Sequence, residues 1–382
     1  MSDDLRRIEE LASEMIDAGC RHIHVLGWRD LEDPDSGGSE IHADHFMRRW
    51  AAAGLEITHR TSLARDRPSL SERNGYRVIR RGGRMSVFPR AVVAEVAHRM
   101  GPRDALVELW NGVPWMSPLW HRGPRLAVLH HVHGPMWRQM LPWPASSLGR
   151  VLEARLAPPF YRSTDVVTGC RGVRAELADL GFLSNRVHVV RHGVDEFFSP
   201  GGARSLNPSI VCVGRLAPVK RHDLTISAAI EARRRIPALR LVIVGEGPLR
   251  GELERQIAEA GATEWISLRG RLSDEALRDE YRAAWLVMSS SLAEGWGMSL
   301  TEAAACGTPA VATDISGHRC SVDDGTTGLL VGEEHLGSAA ASLLEDATRR
   351  ETMREQCLRR AGELTWDASA RGILGCLAAQ II

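Results

Sequence analysis

Lysine is almost missing from this chain: Lys220 is the single lysine among 48 basic residues in 382. A cation retained as lysine at one place invites a chemical explanation. Net charge is missing too, because the 48 basic residues balance 48 acidic ones. No global field draws such a protein to nucleic acid or to an acidic membrane, so any polyanion contact must come from a local patch. No stretch reaches the ~18 apolar residues of a spanning helix, and the N-terminal MSDDLRRIEELASEMIDAG has no apolar signal core. Secretion and membrane insertion are therefore not expected, and a cytoplasmic location is. Cysteine pairs at ligand spacing are absent. Cys20, Cys170, Cys212, Cys306, Cys320, Cys357 and Cys376 are scattered, as reduced thiols would be. The dinucleotide fingerprint G-x-G-x-x-G is also missing, which argues against an NAD enzyme.

What is present suits two domains. The length allows two units of ~150 residues, and the apolar fraction of 44% and charged fraction of 25% are ordinary for a globular protein. Leu5, Ile8, Leu11 and Met15 form one stripe of a helix over residues 4–18. HIHVLG (22–27) reads as a buried strand, followed by a loop with Gly37 and Gly38 and a helix that Ser39 can cap. Short apolar strands at 55–58, 76–79, 105–109 and 126–129 alternate with helical stretches, which implies a parallel sheet covered on both faces. The domains are expected at 1–198 and 209–365, with a Gly/Pro/Ser-rich linker at 199–208 and a terminal helix at 366–382.

The chemistry concentrates in residues 289–312, SSSLAEGWGMSLTEAAACGTPAVA. An apolar strand runs into a turn where Gly295 and Gly297 flank Trp296, and a helix then opens through Met298 and Ser299 and carries Glu302. A strand, a glycine turn and a helix N-terminus present free backbone N–H groups and a positive dipole end to an anion. Glu294 before the turn and Glu302 after it add two carboxylates, which accept hydrogen bonds from sugar or ribose hydroxyls. A second unit of the same kind, SIVCVGRLAPVKRHDL, ends a strand at Gly214 and places Arg215 and Lys220 five residues apart across a turn. A forked donor and a point charge there can converge on one diphosphate.

The spacing Glu294, seven residues, Glu302, with EGWG inside it, resembles the signature of family 4 retaining glycosyltransferases. The resemblance implies the GT-B fold: two Rossmann-like doubly wound α/β domains facing a cleft, with a C-terminal helix crossing back to the first. It implies a nucleoside-diphosphate sugar of UDP or GDP type as co-substrate and no further cofactor or metal. It also implies metal-independent, same-face transfer of a hexose, in which the donor phosphate takes the acceptor's proton. Carried over by residue, Arg215 and Lys220 hold the leaving diphosphate, while Glu294 orients the sugar hydroxyls and Glu302 the ribose. Gly37, Gly38, Gly214, Gly295, Trp296, Gly297, Met298 and Ser299 line the donor site, and Arg271 and Leu272 edge the base. A histidine at the end of a central strand reaches the sugar or acceptor. The triple His130, His131, His133 leaves that choice open, with His133, before Gly134, favoured. Arg191, His192, His318 and Cys320 depart from the family's usual residues, so no role is carried to them. The acceptor is a lipid, glycan or small molecule, and nucleic acid is not a partner. Two other readings stand beside this one: a nucleotide-sugar epimerase of the same fold, and a non-catalytic sugar-nucleotide binder.

Two further features have bland and functional readings. The stretch 73–90 holds Arg73, Arg77, Arg80, Arg81, Arg84 and Arg90, either a solvated strand and loop or a basic patch for an anionic acceptor or the inner face of the cell membrane. Trp110, Trp115, Trp120, Trp137 and Trp143 either fill the core or meet sugars and wet-dry boundaries. The three histidines suggest zinc only weakly, because neighbours on an extended chain point to opposite sides and no carboxylate or cysteine follows at ligand spacing. No Asp-x-Asp is read as a metal signature.

Overall fold

The computed structural model describes residues 7–140 and 142–382, so Leu5 of the expected helical stripe lies outside the described residues. The chain forms two compact units, one comprising residues up to Gly193 with Trp366–Ile382, the other Val194–Thr365.

The first unit is built on an eight-stranded sheet of order β3-β4-β2-β1-β5-β6-β7-β8. The strands are β1 His22–Leu26, β2 Glu56–Thr61, β3 Leu70–Arg73, β4 Tyr76–Arg80, β5 Ala105–Trp110, β6 Arg125–Leu129, β7 Asp165–Thr168 and β8 Val187–Val189. All pairings are parallel except the β3–β4 hairpin. β1, apart from half-buried His22, and β5 are buried on both faces, as central parallel strands are when helices cover both sides. Helix α1 (Ile8–Asp17) buries Ile8, Leu11 and Met15, and α2 (Gly38–Ala52) buries Phe46, Met47 and Trp50. The helix Trp366–Ala378 lies on α1 and α2, burying Ile373, Leu374 and Leu377, and its Ala370 carbonyl accepts the Trp50 indole N–H at 3.0 Å. Each such side chain contributes about 1.5–3 kcal/mol by leaving water.

α2 starts differently from the expectation. Gly37, not Ser39, is the N-cap, and its N–H donates to Glu40 Oε2 at 2.8 Å. Glu three residues into the helix satisfies the orphan donor that a capping hydroxyl would otherwise serve. The tryptophans divide: Trp110, Trp115 and Trp137 are buried, while Trp143 is 82% exposed.

The second unit has a six-stranded, all-parallel sheet of order β11-β10-β9-β12-β13-β14. Its strands are β9 Ser209–Val213, β10 Arg240–Val244, β11 Ile266–Leu268, β12 Leu286–Ser289, β13 Ala310–Thr313 and β14 Gly328–Val331. The order in which strands are added to the sheet reverses between β9 and β12, and the crevice at their carboxyl ends is where doubly wound sheets take ligands. The unit begins at Val194, whose N–H donates to Leu364 O at 2.9 Å. The Gly/Pro/Ser-rich stretch is tied down against this unit: Ser205 N–H donates to Ala283 O at 2.9 Å and Trp285 Nε1 to Ser205 O at 2.9 Å.

Cys20, Cys212, Cys306, Cys357 and Cys376 are free thiols. Cys170 and Cys320 depart from the expected reduced set, each being disulfide-bonded. Among the described residues no helix is long and apolar enough to cross a membrane.

Candidate active site

At the reversal point of the second sheet, β9 ends and Gly214 turns the chain. Glycine is required opposite it. A Cβ on Gly245 would lie 2.0 Å from the Gly214 carbonyl oxygen, and one on Gly247 2.4 Å from that of Leu216. Two loops thus close to backbone contact. A short turn, Pro218–Lys220, brings the lysine stem back over Gly214, where a Cβ would meet its Cδ at 3.5 Å. Lys220 Nζ donates to Glu294 Oε1, which also accepts from Ser291 Oγ at 2.8 Å. Burial pushes the Glu294 carboxyl up, but the charge of Lys220 and the hydrogen bonds from Lys220 and Ser291 outweigh it and hold the group below its usual range. Arg215 is exposed and its guanidinium has no partner among the described residues, while its carbonyl oxygen lies 3.2 Å from His222 Nε2, so the structure joins Lys220 to Glu294 and leaves the Arg215 side chain apart.

Gly297, at φ 95°, caps the helix Met298–Ala305 in the left-handed region that favours glycine. Gly295, Met298 and Ser299 are half-buried around this turn. The Trp296 side chain is 3% exposed and packs with Val194, Ala305 and Leu364 in a buried apolar cluster of the second unit. Glu302, one turn into the helix, accepts the Tyr281 hydroxyl at 2.9 Å. Burial raises its carboxyl to about 7, against the pull of that hydrogen bond. Leu272 packs among the apolar residues under the sheet and Arg271 is exposed, on the turn that Gly245 N–H ties through Gly270 O at 2.9 Å.

One residue behind the site was not carried over from the sequence. His318 is buried, with Nδ1 2.7 Å from Thr313 O and Nε2 3.0 Å from Ser289 Oγ. Its neighbour Gly317 lies so close to Glu294 that a Cβ would sit 2.2 Å from the Glu294 carbonyl oxygen. Gly317 therefore closes directly against the Glu294 backbone, and His318 beside it is fixed by Thr313 and Ser289.

In the first unit the histidine triple separates. His130 turns into the core, where its Nε2 lies 2.9 Å from His42 Nδ1, and His42 stacks on His192 at 4.1 Å. The nitrogens of these three are all within 4.8 Å of one another, a grouping that could gather a cation, and burial pushes all three imidazoles down to their neutral form. His133 instead meets Glu153, a residue no motif signalled. The Glu153 carboxylate accepts from the N–H groups of His133 (2.9 Å) and Gly134 (3.0 Å) and from Trp137 Nε1 (2.9 Å), with His133 Nδ1 3.3 Å away. Burial pushes Glu153 up, yet these donors and the His133 charge hold it below its usual range. His133 Nε2 faces Gly112, where a Cβ would come within 3.2 Å, and His131 stacks on the His133 ring at 4.4 Å. Gly37 sits in extended backbone with open space about it, and Gly38 is the first helical residue of α2.

The basic stretch is largely neutralised. Arg80 is fully buried and pairs with Asp30 at 3.2 Å and Glu32 at 2.6 Å; Arg73 pairs with the same two at 2.8 and 2.6 Å. Arg84 holds Asp33 at 3.1 Å and also Asp35, which together are the sequence's one Asp-x-Asp triplet. A patch made of all six arginines is therefore corrected: three are committed to the loop after β1.

Residues 36–196 match the family model described as Glycosyltransferase Family 4, and residues 194–361 that of Glycosyl transferases group 1. The chain is 30% identical to the D-inositol 3-phosphate glycosyltransferase of Kribbella flavida over 94% of this chain and 96% of that one. It is also 30% identical to the GDP-mannose-dependent alpha-(1-6)-phosphatidylinositol monomannoside mannosyltransferase of Mycolicibacterium smegmatis, over 84% and 89%. Among solved structures, sucrose-phosphate synthase from Thermosynechococcus elongatus is similar at TM-score 0.77 and 20% identity, covering 92% of this chain and 96% of that one. Anabaena HepE in complex with UDP-glucose is similar at TM-score 0.73 and 17% identity, over 92% and 98%. With two parallel-sheet units and a glycine-turned crevice on one of them, the chain belongs to the family 4 glycosyltransferases of the GT-B fold.

Proposed function

We propose that this glycosyltransferase moves a hexose from a UDP- or GDP-linked sugar to an acceptor hydroxyl, with retention at the anomeric carbon and without a metal ion. The observation that carries the reading is the Lys220–Glu294 ion pair at the carboxyl end of β9 and β12, beside a helix N-terminus. Two problems must be met in such a reaction: the leaving diphosphate gains charge, and the acceptor hydroxyl loses a proton. Lys220, Arg215 and the N–H groups after Gly297 are donors suited to the first, and preorganised donors of this kind contribute the largest share of many rate enhancements. The departing phosphate oxygen serves the second in a same-face attack. Glu294 orients the sugar hydroxyls, Glu302 holds the ribose, and His133 positions the reacting groups through Nε2 without acting as general base.

The acceptor is a lipid, a glycan or a small molecule. The names of the relatives make D-inositol 3-phosphate and phosphatidylinositol monomannoside the first to try. A thermal-shift screen against UDP, GDP, ADP, NAD and the common sugar conjugates, without added metal, tests the donor. A ligand at 100 times its Kd adds about 2.7 kcal/mol of stability. Stabilisation by one nucleoside diphosphate, lost in Lys220→Ala, supports the reading, and stabilisation by NAD alone sinks it. Incubation with donor alone separates transfer from epimerisation: an epimerase yields the epimer, a transferase only slow hydrolysis.

A further inference from the structure

The arginines that the acidic loop leaves out converge elsewhere. Arg60, Arg77, Arg81, Arg90 and Arg99 line a cavity of about 530 Å³ between β2, β4 and the helix α3 (Val87–Val96), and among the described residues no carboxylate lines it. Arg60 is 1% exposed, and its fork is held by carbonyl oxygens of Thr61, Ile79 and Arg81. Burial, with the positive charges of Arg81 and Arg90, pushes it down to about 10. Glu95, the one carboxylate that acts on it, is itself buried and bonded to Arg103 and to His24. Arg81, Arg90 and Arg99 have no ion-pair partner among the described residues. Apart from Ser69 the rest of the wall is apolar, with Ile79, Pro89 and Met100 beside Leu70 and Val93, each of the last two 59% exposed.

Like charges gathered around a cavity without a counter-ion repel one another, and an anion placed among them relieves that repulsion. Guanidinium forks match the oxygens of a phosphate two at a time. Arg60 and Arg77 already donate to carbonyl oxygens, so Arg81, Arg90 and Arg99 are the forks open to such a group, and the apolar wall beside them suits a hydrocarbon body. We propose that this cavity binds a phosphomonoester carrying an aliphatic chain, its head among the arginines and its tail along Leu70, Ile79 and Val93. The site lies wholly within the first unit and does not depend on the donor reading.

The test is calorimetric titration of the full chain with dodecyl phosphate below its micelle concentration, beside inorganic phosphate and dodecyl maltoside. A double variant, Arg81→Ser with Arg90→Ser, changes two exposed side chains, and its melting curve and its thermal response to nucleoside diphosphate are expected to match the parent. The expected result is binding of dodecyl phosphate at least about tenfold tighter than of inorganic phosphate, weakened about tenfold or more in the double variant. No binding, equal affinity for inorganic phosphate and dodecyl phosphate, equal affinity for the uncharged detergent, or an unchanged double variant overturns it. Sedimentation with phosphatidylcholine vesicles, with and without phosphatidic acid, then separates the sources. Arginine-dependent co-sedimentation assigns the head group to a bilayer lipid; binding of dodecyl phosphate with the chain left in the supernatant assigns it to a free amphiphile.

Discussion

Lys220 Nζ donates to Glu294 Oε1 across the loop that leaves β9, so the chain's one lysine and the first glutamate of the Glu-x7-Glu spacing form a single ion pair. A compact ammonium reaches over Gly214, where an added Cβ would meet the lysine Cδ at 3.5 Å. A guanidinium at the same place would engage Glu294 as a planar fork, with a different geometry from that of a point charge. This is a physical reason for lysine here in a chain that otherwise uses arginine.

Replacing Lys220 by Ala is expected to lower kcat by about 10²–10³ if the ammonium meets the leaving diphosphate, and Lys220→Arg is expected not to restore it. The stability effect has a defined sign. Glu294 has a folded-state pKa held below its ordinary 4.5, so the pair's contribution is present above that value and is lost as pH falls through the lower folded value. In Lys220→Ala that acid-side loss should vanish, so stability drops at neutral pH and the acid limb of the profile flattens. Urea denaturation from pH 3 to 7 checks it, and an unchanged limb would mean the pair contributes nothing in solution.

Glu302 runs the other way. Its carboxyl is raised from 4.5 to about 7 by burial. The folded state therefore binds more protons than the unfolded one between these values, and stability contributed by this group falls as pH rises through that window. Glu302→Gln should flatten the decline, a gain on the order of 1–3 kcal/mol at pH 8 relative to pH 5. If the ionised carboxylate holds the ribose, donor affinity of the parent rises with pH across the same window, and that of Tyr281→Phe, which lacks the donating hydroxyl, shifts its midpoint. A pH-independent Kd would remove Glu302 from the ribose.

Glu153 accepts from the N–H groups of His133 and Gly134 and from Trp137 Nε1, and its carboxylate lies 3.3 Å from His133 Nδ1. Glu153→Gln places an amide N–H₂ against N–H donors, which costs about 1–3 kcal/mol of stability. Catalysis should suffer through kcat more than KM, because a reoriented imidazole still leaves the donor crevice on the second unit intact. Steady-state kinetics with His133→Asn as comparison decides: if Glu153→Gln lowers stability but leaves kcat unchanged, the pair is structural only.

Arg80 and Arg81 are neighbours with opposite fates. Arg80→Ala leaves Asp30 buried without one of its two cations and is expected to cost about 3–5 kcal/mol. Arg81→Ser removes an exposed, unpaired cation and should stay within about 0.5 kcal/mol. Chemical denaturation of the two variants compares them directly; equal effects would contradict the buried network.

What the sequence by itself determined follows from local rules. Alternating apolar runs and helical stripes dictate parallel sheets covered by helices, because each strand must bury both faces. The Gly-containing turns after β9 and β12 could be read in place, since the anion-binding geometry of a strand, a turn and a helix N-terminus is contiguous in the chain. Tertiary structure decided everything that depends on which distant residues meet. Lys220 found Glu294 at 74 residues' separation and His133 found Glu153 at 20. Arg80 was claimed by Asp30 at a separation of 50, which turned a basic stretch into a buried network on one side and an arginine-lined cavity on the other. Trp296, placed in the loop by its motif, packs its side chain in a buried apolar cluster. Charge and burial belong to the whole field around a side chain. A local pattern shows what a residue can do, and only the packed neighbours decide whether it is free to do it.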